Sequence, residues 1–488
     1  MSAPRRLSRA TLALASAETR RPAYDTATTQ TGILHFGPGA FHRAHQASFF
    51  DRGLAENPNL GICAVSMHSR DVIGALRPQD GLFTLVEQKS KPVARIIGSL
   101  TQVLHAGDDA AAVMNQFSNP GLRMVTATVT EKGYCLASDG SLDLGHPDII
   151  SDLSGDKIPA SLIGLLARGL NLRRAAGLPG LTLISCDNLP ANGEKLGRAV
   201  LDFCIHHGQA DLADWIRDGS RFPDTMVDSI TPATDEALRK LATQMTGLED
   251  AWPIQRETFA EWVVSDAAGP DAATLAACGA RIVTDVAGFE FAKLRLLNGA
   301  HSALAYLGLA LDVRTVAEAM RHSSLAQYVE GLMREDIAPR LPATPGLDLQ
   351  VYISSILDRF RNPAIHHNLA QIAWDGSMKL PIRLLSTFTE AVAAGASVAR
   401  FSSAIAAWMS FILTKSRTGE PLTDPMADQL LAIAEKHGSN LEVLVVRLME
   451  TEIFPSSLRA NADVRREITS RLEAISDGRF EAVLTPLN

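Results

Sequence analysis

"TGILHFGPGAFHRAH", residues 31–45, is the stretch on which the fold turns. Its first seven residues, "TGILHFG" (31–37), read as a short buried strand, and "FHRAHQASFFDRGLAE" (41–56) reads as an amphipathic helix. Gly37-Pro38-Gly39 stands directly between them. That is the context a dinucleotide fingerprint needs. The first glycine makes the tight turn, the second lets backbone approach a pyrophosphate, and the helix start attracts its charge. The third glycine of G-x-G-x-x-G is missing, and His42 stands in its place. A plain strand-to-helix turn is the other reading of the same residues.

Outward from this turn, strand-like and helix-like runs alternate. "LGICAVSM" (60–67), "RMVTATVT" (123–130) and "LTLISCDN" (181–188) are β-rich, and "PASLIGLLARGLNLRRAAG" (159–177) is helical. Such alternation predicts a parallel sheet with helices on both faces. Beyond about residue 290 the strand signals thin out and long helical patterns take over. The chain therefore reads as an α/β, Rossmann-like domain over 1–288 and an all-helical domain over 289–488. A length of 488 residues, at roughly 100–200 residues per domain, accommodates both.

Composition narrows the function. Hydrophobic residues make up 46% and charged residues 20%, as in an ordinary globular protein. The net charge of −8 comes with no long basic block, which argues against nucleic acid or an anionic membrane as partner. Five scattered cysteines, none in a C-x-x-C pair, suggest a reducing compartment and no zinc knuckle. The alanine-rich run after Arg5–Arg6 fits a secretory signal poorly, so a cytoplasmic location is expected, as a monomer or small homo-oligomer. His42 and His45 are three apart with no third ligand nearby and read as core residues; no metal is expected.

A second stretch demands an explanation. "FEFAKLRLLNGAHSALAYLG" (289–308) places Lys293, Asn298 and His301 in an otherwise apolar run. At about 100° per residue, Asn298 lies near 140° and His301 near 80° from Lys293, so one α-helical face holds all three. A lysine against apolar surface loses solvation and its pKa falls, which suits it to general-base work near neutral pH. Asn298 can donate to a carbonyl or alkoxide oxygen, and His301 can orient a hydroxyl. The same residues also fit a snorkelling lysine, a capping asparagine and a satisfied core histidine. Asn188, delivered at the end of a strand, offers a second amide, with Asn192 as the alternative.

Taken with "VTEKGY" (129–134), "SCDNLPANG" (185–193), "FPDTMVDSITP" (222–232) and "QIAWDGSMKLPIRLL" (371–385), these stretches resemble the polyol-specific long-chain dehydrogenases, the mannitol dehydrogenase family. The resemblance spans both domains. It implies metal-independent, NAD-dependent oxidation of a secondary alcohol. Lys293 would be the general base, Asn188 and Asn298 the oxyanion-binding pair, and His301 the substrate-positioning residue. Gly37, Pro38, Gly39, Ala40, Phe41, Ser66 and Asp228 are assigned to the cofactor; Lys379, Arg383 and Glu290 to the substrate. Two positions depart from the family pattern: Ser229 replaces an arginine, and Asn368 a basic residue. No acid ends the second strand, so NADP stays open, with Arg70 as its 2′-phosphate contact.

Within the family the choice lies between neutral polyols such as mannitol and sugar acids such as fructuronate. Gln371, where the mannitol branch more often has arginine, points to the fructuronate reductase branch. A uronate carboxylate needs a cationic or multi-donor anchor, and Lys379, with Arg383 four residues on, is the best candidate; a surface arginine and a loop-capping lysine are the other reading. Two readings from other classes compete: a catalytically silent nucleotide-binding sensor, and a metal-dependent sugar-acid lyase or isomerase. A sensor needs no general base, and a lyase needs a ligand cluster that no tight motif provides.

Overall fold

A computed structural model describes residues 4–155, 158–365 and 367–485. The chain forms two compact units, Met1–Ala287 and Gly288–Asn488. In the first, five parallel strands make the central sheet: β1 (Thr31–Phe36), β2 (Gly61–Ser66), β3 (Leu100–His105), β4 (Met124–Ala127) and β5 (Thr182–Ser185). Their order is β3-β2-β1-β4-β5, the order of a Rossmann sheet, which reverses direction of winding between β1 and β4.

The strands are apolar on both sides, and alternate residues enter different cores. Leu34, Phe36, Cys63, Val65, Val125 and Leu183 pack against helices α3 (Leu162–Ala175) and α4 (Asn192–His206). Ile33, Ile62, Ala64, Met124 and Ile184 pack on the opposite face, against α1 (Ala40–Ala44) and α2 (Gln46–Gly53). Two three-stranded sheets flank this layer. One joins Phe83–Gln88 to Ile254–Glu257 and Val93–Ile97; the other joins Glu261–Ser265 to Thr225–Asp228 and Arg281–Val283. Arg5–Arg6 pairs in parallel with Leu248–Glu249.

The single helix expected over 41–56 is two helices, broken at His45, where φ is −109° and ψ −94°. The break is held from a distance. Arg256 Nη1 donates to the Ala44 carbonyl at 2.8 Å, the Ser48 hydroxyl donates to the same oxygen at 3.0 Å, and His45 Nε2 lies 2.9 Å from the Glu261 carbonyl. Inserting side chains into the i→i−4 ladder is a known cause of kinks.

Helices are the regular elements of the second unit among its described residues, joined by turns and loops. Helix α5 (Ala287–Ala292) runs into a π-helical turn, Lys293–Asn298, and then α6 (Gly299–Ala310). Further on come α7 (Leu349–Phe360), α8 (Gly376–Leu380) with a second π turn at Pro381–Leu385, and the long α9 (Ala399–Thr418). Leu304, Leu307, Phe388, Phe401 and Trp408 belong to one continuous core. Among the described residues no helix is long and apolar enough to cross a membrane.

Beneath the glycine turn, the His35 and His42 rings stack 3.3 Å apart and 15° from parallel. Both are fully buried. His42 thus makes the helix-to-strand contact that the third glycine makes in the fingerprint. Burial pushes His35 down to about 3, and burial followed by the neighbouring His35 pushes His42 well below its usual range. The unfolded chain takes these protons below about pH 6.5, whereas the folded chain refuses them. The stability that neutral imidazoles allow is therefore complete above about pH 6.5 and declines as pH falls. At pH 5 His35 contributes a loss of about 2 kcal/mol, and His42 adds a loss of the same sign. Calorimetry between pH 7 and pH 5 should show the melting temperature of His35→Gln falling less steeply than that of the wild type; equal slopes would refute the burial argument.

Candidate active site

A cavity of about 510 Å³ opens at the carboxyl ends of the central strands of the first unit. Gly37, Pro38, Gly39, Ala40 and Ser66 line it. Gly37 has φ +91°, and a Cβ there would lie 2.0 Å from the Thr128 carbonyl oxygen, so no other residue fits. Its own carbonyl accepts from the Thr128 hydroxyl at 2.6 Å, with His35 Nε2 at 3.3 Å. Gly39 has open space where a Cβ would stand, meeting only Gly37 O at 3.9 Å. A pyrophosphate can therefore approach this backbone, and the residues present fit a dinucleotide. Arg43, 1% exposed, also lines the cavity, with its guanidinium over the Phe83 and Trp252 rings.

Two residues assigned to the cofactor are not among those that line the cavity. Phe41 stacks on the His45 ring at 5.0 Å, and Asp228 is buried in a strand paired with Glu261–Ser265. Arg70 is not in the lining either. It is exposed and bound bidentately to Asp108 at 2.7 Å through both bonds, a pairing that already occupies the guanidinium fork. Ser66, Met67, His68 and Ser69 form the wall where β2 ends.

The segments after β4 and β5 are tied together by Asp187. Its carboxylate accepts from Val129 N at 2.9 Å, Thr130 N at 3.0 Å and the Tyr134 hydroxyl at 2.7 Å. Burial raises its pKa, and these donors oppose the shift. Thr128, Val129, Thr130 and Lys132 line the cavity as a result. Sequence reasoning passed over Asp187, Tyr134 and Lys132, although two of the quoted motifs contain them; the position of both motifs at strand carboxyl ends was the available signal.

Asn192 and Asn188 have separate environments. Asn192 is wholly buried, donates to the carbonyls of Ser185, Asp187 and Thr225, and accepts from Thr225 N at 2.9 Å. Its amide is committed to joining α4 to two strands. Asn188 is exposed, in the loop that follows β5.

In the second unit, Lys293 opens the π turn and Asn298 closes it. An i→i+5 ring takes more residues per turn than an α-helix, so Asn298 lies nearer the Lys293 face than the 140° that α geometry predicts. His301 follows one turn later on α6, so the three residues form a narrower stripe than expected. Lys293 is 9% and His301 6% exposed. Gly299 permits the construction: a Cβ there would lie 2.8 Å from the Arg383 carbonyl oxygen.

The His301 ring stacks on Phe360 at 4.3 Å and meets the His367 ring edge-on at 4.9 Å. Burial, then His367, Arg359 and Arg383, holds the His301 pKa well below its usual range. His367 is lowered to about 4 by burial and then by Arg359. Arg383 Nη1 donates to the hydroxyl of Ser302, next to His301, at 3.2 Å. Lys379 lies 3.4 Å from the Ile372 carbonyl and 4.0 Å from Asp375, its pKa lowered by burial and then by Arg383. Glu290 is half-buried on α5. Arg359, Phe360 and His367 were not singled out from sequence, because α7 and the segment after it reach this helix only through the tertiary fold. Among the described residues no three His, Cys, Asp or Glu side chains are grouped to hold a metal ion.

A Rossmann sheet with a glycine turn at its switch point, and a helical unit presenting lysine, amide and imidazole on one stripe, define a nucleotide-dependent oxidoreductase. Comparison with known proteins gives the family. Residues 31–274 match the mannitol dehydrogenase Rossmann domain and residues 285–476 the mannitol dehydrogenase C-terminal domain. The chain is 34% identical to mannitol 2-dehydrogenase of Pyrenophora tritici-repentis, over 93% of this chain and 81% of that one. It is 36% identical to D-mannonate oxidoreductase of Escherichia coli, over 94% and 96%. The solved structure of Pseudomonas fluorescens mannitol 2-dehydrogenase in ternary complex with NAD and D-mannitol superposes with a TM-score of 0.84 at 34% identity, over 98% of each chain. The chain belongs to the mannitol dehydrogenase family, whose members are NAD-dependent secondary-alcohol oxidoreductases of polyols and sugar acids.

The two asparagines should separate by experiment. Asn192→Ala strips partners from several buried groups at about 1–3 kcal/mol for each one left unsatisfied, so it should lower the melting temperature sharply. Asn188→Ala should leave the melting temperature within a degree or two while lowering turnover. The reverse pattern would exchange their roles.

Proposed function

We propose that this protein is a fructuronate reductase, interconverting D-fructuronate plus NADH and a proton with D-mannonate plus NAD. The observation that carries this reading is the set of cations around His301. Arg383 bonds to the adjacent Ser302, Arg359 and Arg383 both act on the imidazole, and Lys379 lies close enough to Arg383 to feel its charge. A carboxylate gains charge-assisted hydrogen bonds from such cations that a neutral hexitol cannot form. The 36% identity to D-mannonate oxidoreductase supports the same choice. Five buried, unpaired cysteines support a cytoplasmic enzyme.

Gly37, Pro38, Gly39, Ala40 and Ser66 would hold the dinucleotide, and Arg70, engaged by Asp108, gives little reason to prefer NADP. The cofactor supplies hydride to the keto carbon in reduction and accepts it in oxidation. Lys293 delivers the proton to the nascent alkoxide, or removes it in the reverse direction. Asn298, with Asn188 as the second amide, donates to the oxygen on which negative charge develops. His301, kept neutral, orients a neighbouring hydroxyl.

Two expectations follow from these roles. Lys293→Ala should lower turnover about 10²–10⁴-fold, the usual worth of a positioned general base, while the dissociation constant for NADH, read by fluorescence, stays unchanged. Near-normal turnover across pH 6–10 would remove Lys293 from the mechanism. For substrate, kcat/KM should favour D-fructuronate over D-fructose at the same pH. Arg383→Met and Lys379→Met should each cost about 10–100-fold on the uronate, the worth of one charged hydrogen bond, and little on fructose. A wild-type preference for fructose or mannitol would reject the uronate, and an unchanged preference in both variants would reject the anchor alone.

A further inference from the structure

We infer that His367 is a second substrate-binding imidazole, which works beside His301 on adjacent hydroxyls of the sugar chain. The inference rests on the oxidoreductase site of the second unit but not on the choice of uronate. Among the described residues, His301 Nε2 and His367 Nδ1 are both buried atoms with no hydrogen-bond partner. The two rings stand 4.9 Å apart at 86°, so the orphan nitrogens belong to one small volume. Hydrogen bonds reach about 2.7–3.0 Å, so two such nitrogens can engage neighbouring oxygens on one carbon chain. A buried nitrogen without a partner is destabilising, and two side by side need a reason.

The rest of the structure holds both rings in place. Phe360 stacks on His301. The backbone of His367 is pinned by its own N–H to the Ile365 carbonyl at 2.9 Å and by Val316 N donating to its carbonyl at 3.0 Å. The next residue, Asn368, forms a β-bridge with Thr315 and caps the following helix through Ala370 N. A side chain on so fixed a backbone has few ways to satisfy its nitrogen by moving. Both imidazoles stay neutral, so each keeps one donor and one acceptor, the pattern that matches a hydroxyl. Neutrality also suits a site that already contains Arg359 and Arg383, since imidazolium there would add charge without adding an acceptor.

The test uses the sugar that the wild-type enzyme reduces best, whichever it is, so failure of the uronate reading leaves it intact. His367→Leu should raise KM for that sugar about tenfold, with kcat, the KM for NADH and the melting temperature little changed. His367→Gln, which keeps a donor and an acceptor, should recover most of the loss. Deoxy analogues lacking one hydroxyl at a time supply the readout a structural role would not move. On one analogue the wild type and His367→Leu should give equal KM, and on the others the difference should persist. If the leucine variant does not fold, His367→Asn must show the same analogue-specific loss. An unchanged sugar KM, or an equal loss on every analogue, overturns the assignment.

Discussion

Gly37 has no room for a side chain, because its α-carbon sits against the Thr128 carbonyl, and this contact sets the geometry of the whole nucleotide-binding unit. β1 and β4 are neighbours in the sheet, and the chain leaves them in opposite senses. At that reversal the strand ends spread, and a crevice opens above them. The close approach of residues 37 and 128 closes the floor of this crevice. His35 sees both sides: its Nδ1 lies 2.7 Å from the Thr126 hydroxyl and its Nε2 3.0 Å from the Thr128 hydroxyl. A tautomer with the proton on Nε2 satisfies both ends of the ring. The turn is therefore braced by the strand beside it, and Asp187 extends the bracing to the loop after β5.

The second unit solves a similar problem with helices. Gly299 lets the backbone of Arg383 approach α6, and both segments next to this contact are π-helical. A π turn breaks the α ladder, a cost accepted mostly where a side chain must be re-aimed. Here it turns Asn298 toward the Lys293 face, while the partner turn brings the Arg383 side chain to Ser302. Placing the reacting groups on packed helices rather than on loops keeps them within a narrow range of positions.

Much of the fold was legible in the sequence. Fully buried strands read as short apolar runs, Gly37-Pro38-Gly39 marked the first crossover, and the change from alternating to purely helical patterns separated an α/β part from a helical one. What escaped the sequence has one cause: each feature depends on a partner far along the chain. The kink at His45 is held by Arg256, more than 200 residues on. Asn188 and Asn192 look equivalent in "SCDNLPANG", and only the backbone of Thr225 shows that one is a structural clamp. A strict 3.6-residue period put Asn298 well away from Lys293, because the π turn arises from packing at Gly299 and not from a local signal. Lys379 and Arg383 read as one cationic pair four residues apart; the turn begun at Pro381 sends them to different neighbours.

The same dependence explains why polar residues lie in a helix whose pattern is otherwise that of a core. Leu296, Leu297, Leu304 and Leu307 would pack as well with leucine at 293 or 301. Replacing the lysine and the histidine by apolar residues of similar volume would, on general grounds, stabilise the unit, because each buried polar group loses hydration it only partly regains. The unit tolerates this cost because its core runs without interruption from α5 to the last helix, a reserve of apolar burial far larger than the cost of a few buried polar groups. Stability and activity thus pull in opposite directions along one stripe of α6, as expected where a site is built into a packed interior. Substitutions that fill this stripe should be sorted by that opposition: those that raise the melting temperature while abolishing turnover mark the groups that act on substrate, and those that lower both mark the groups, such as Gly299, that only shape the backbone.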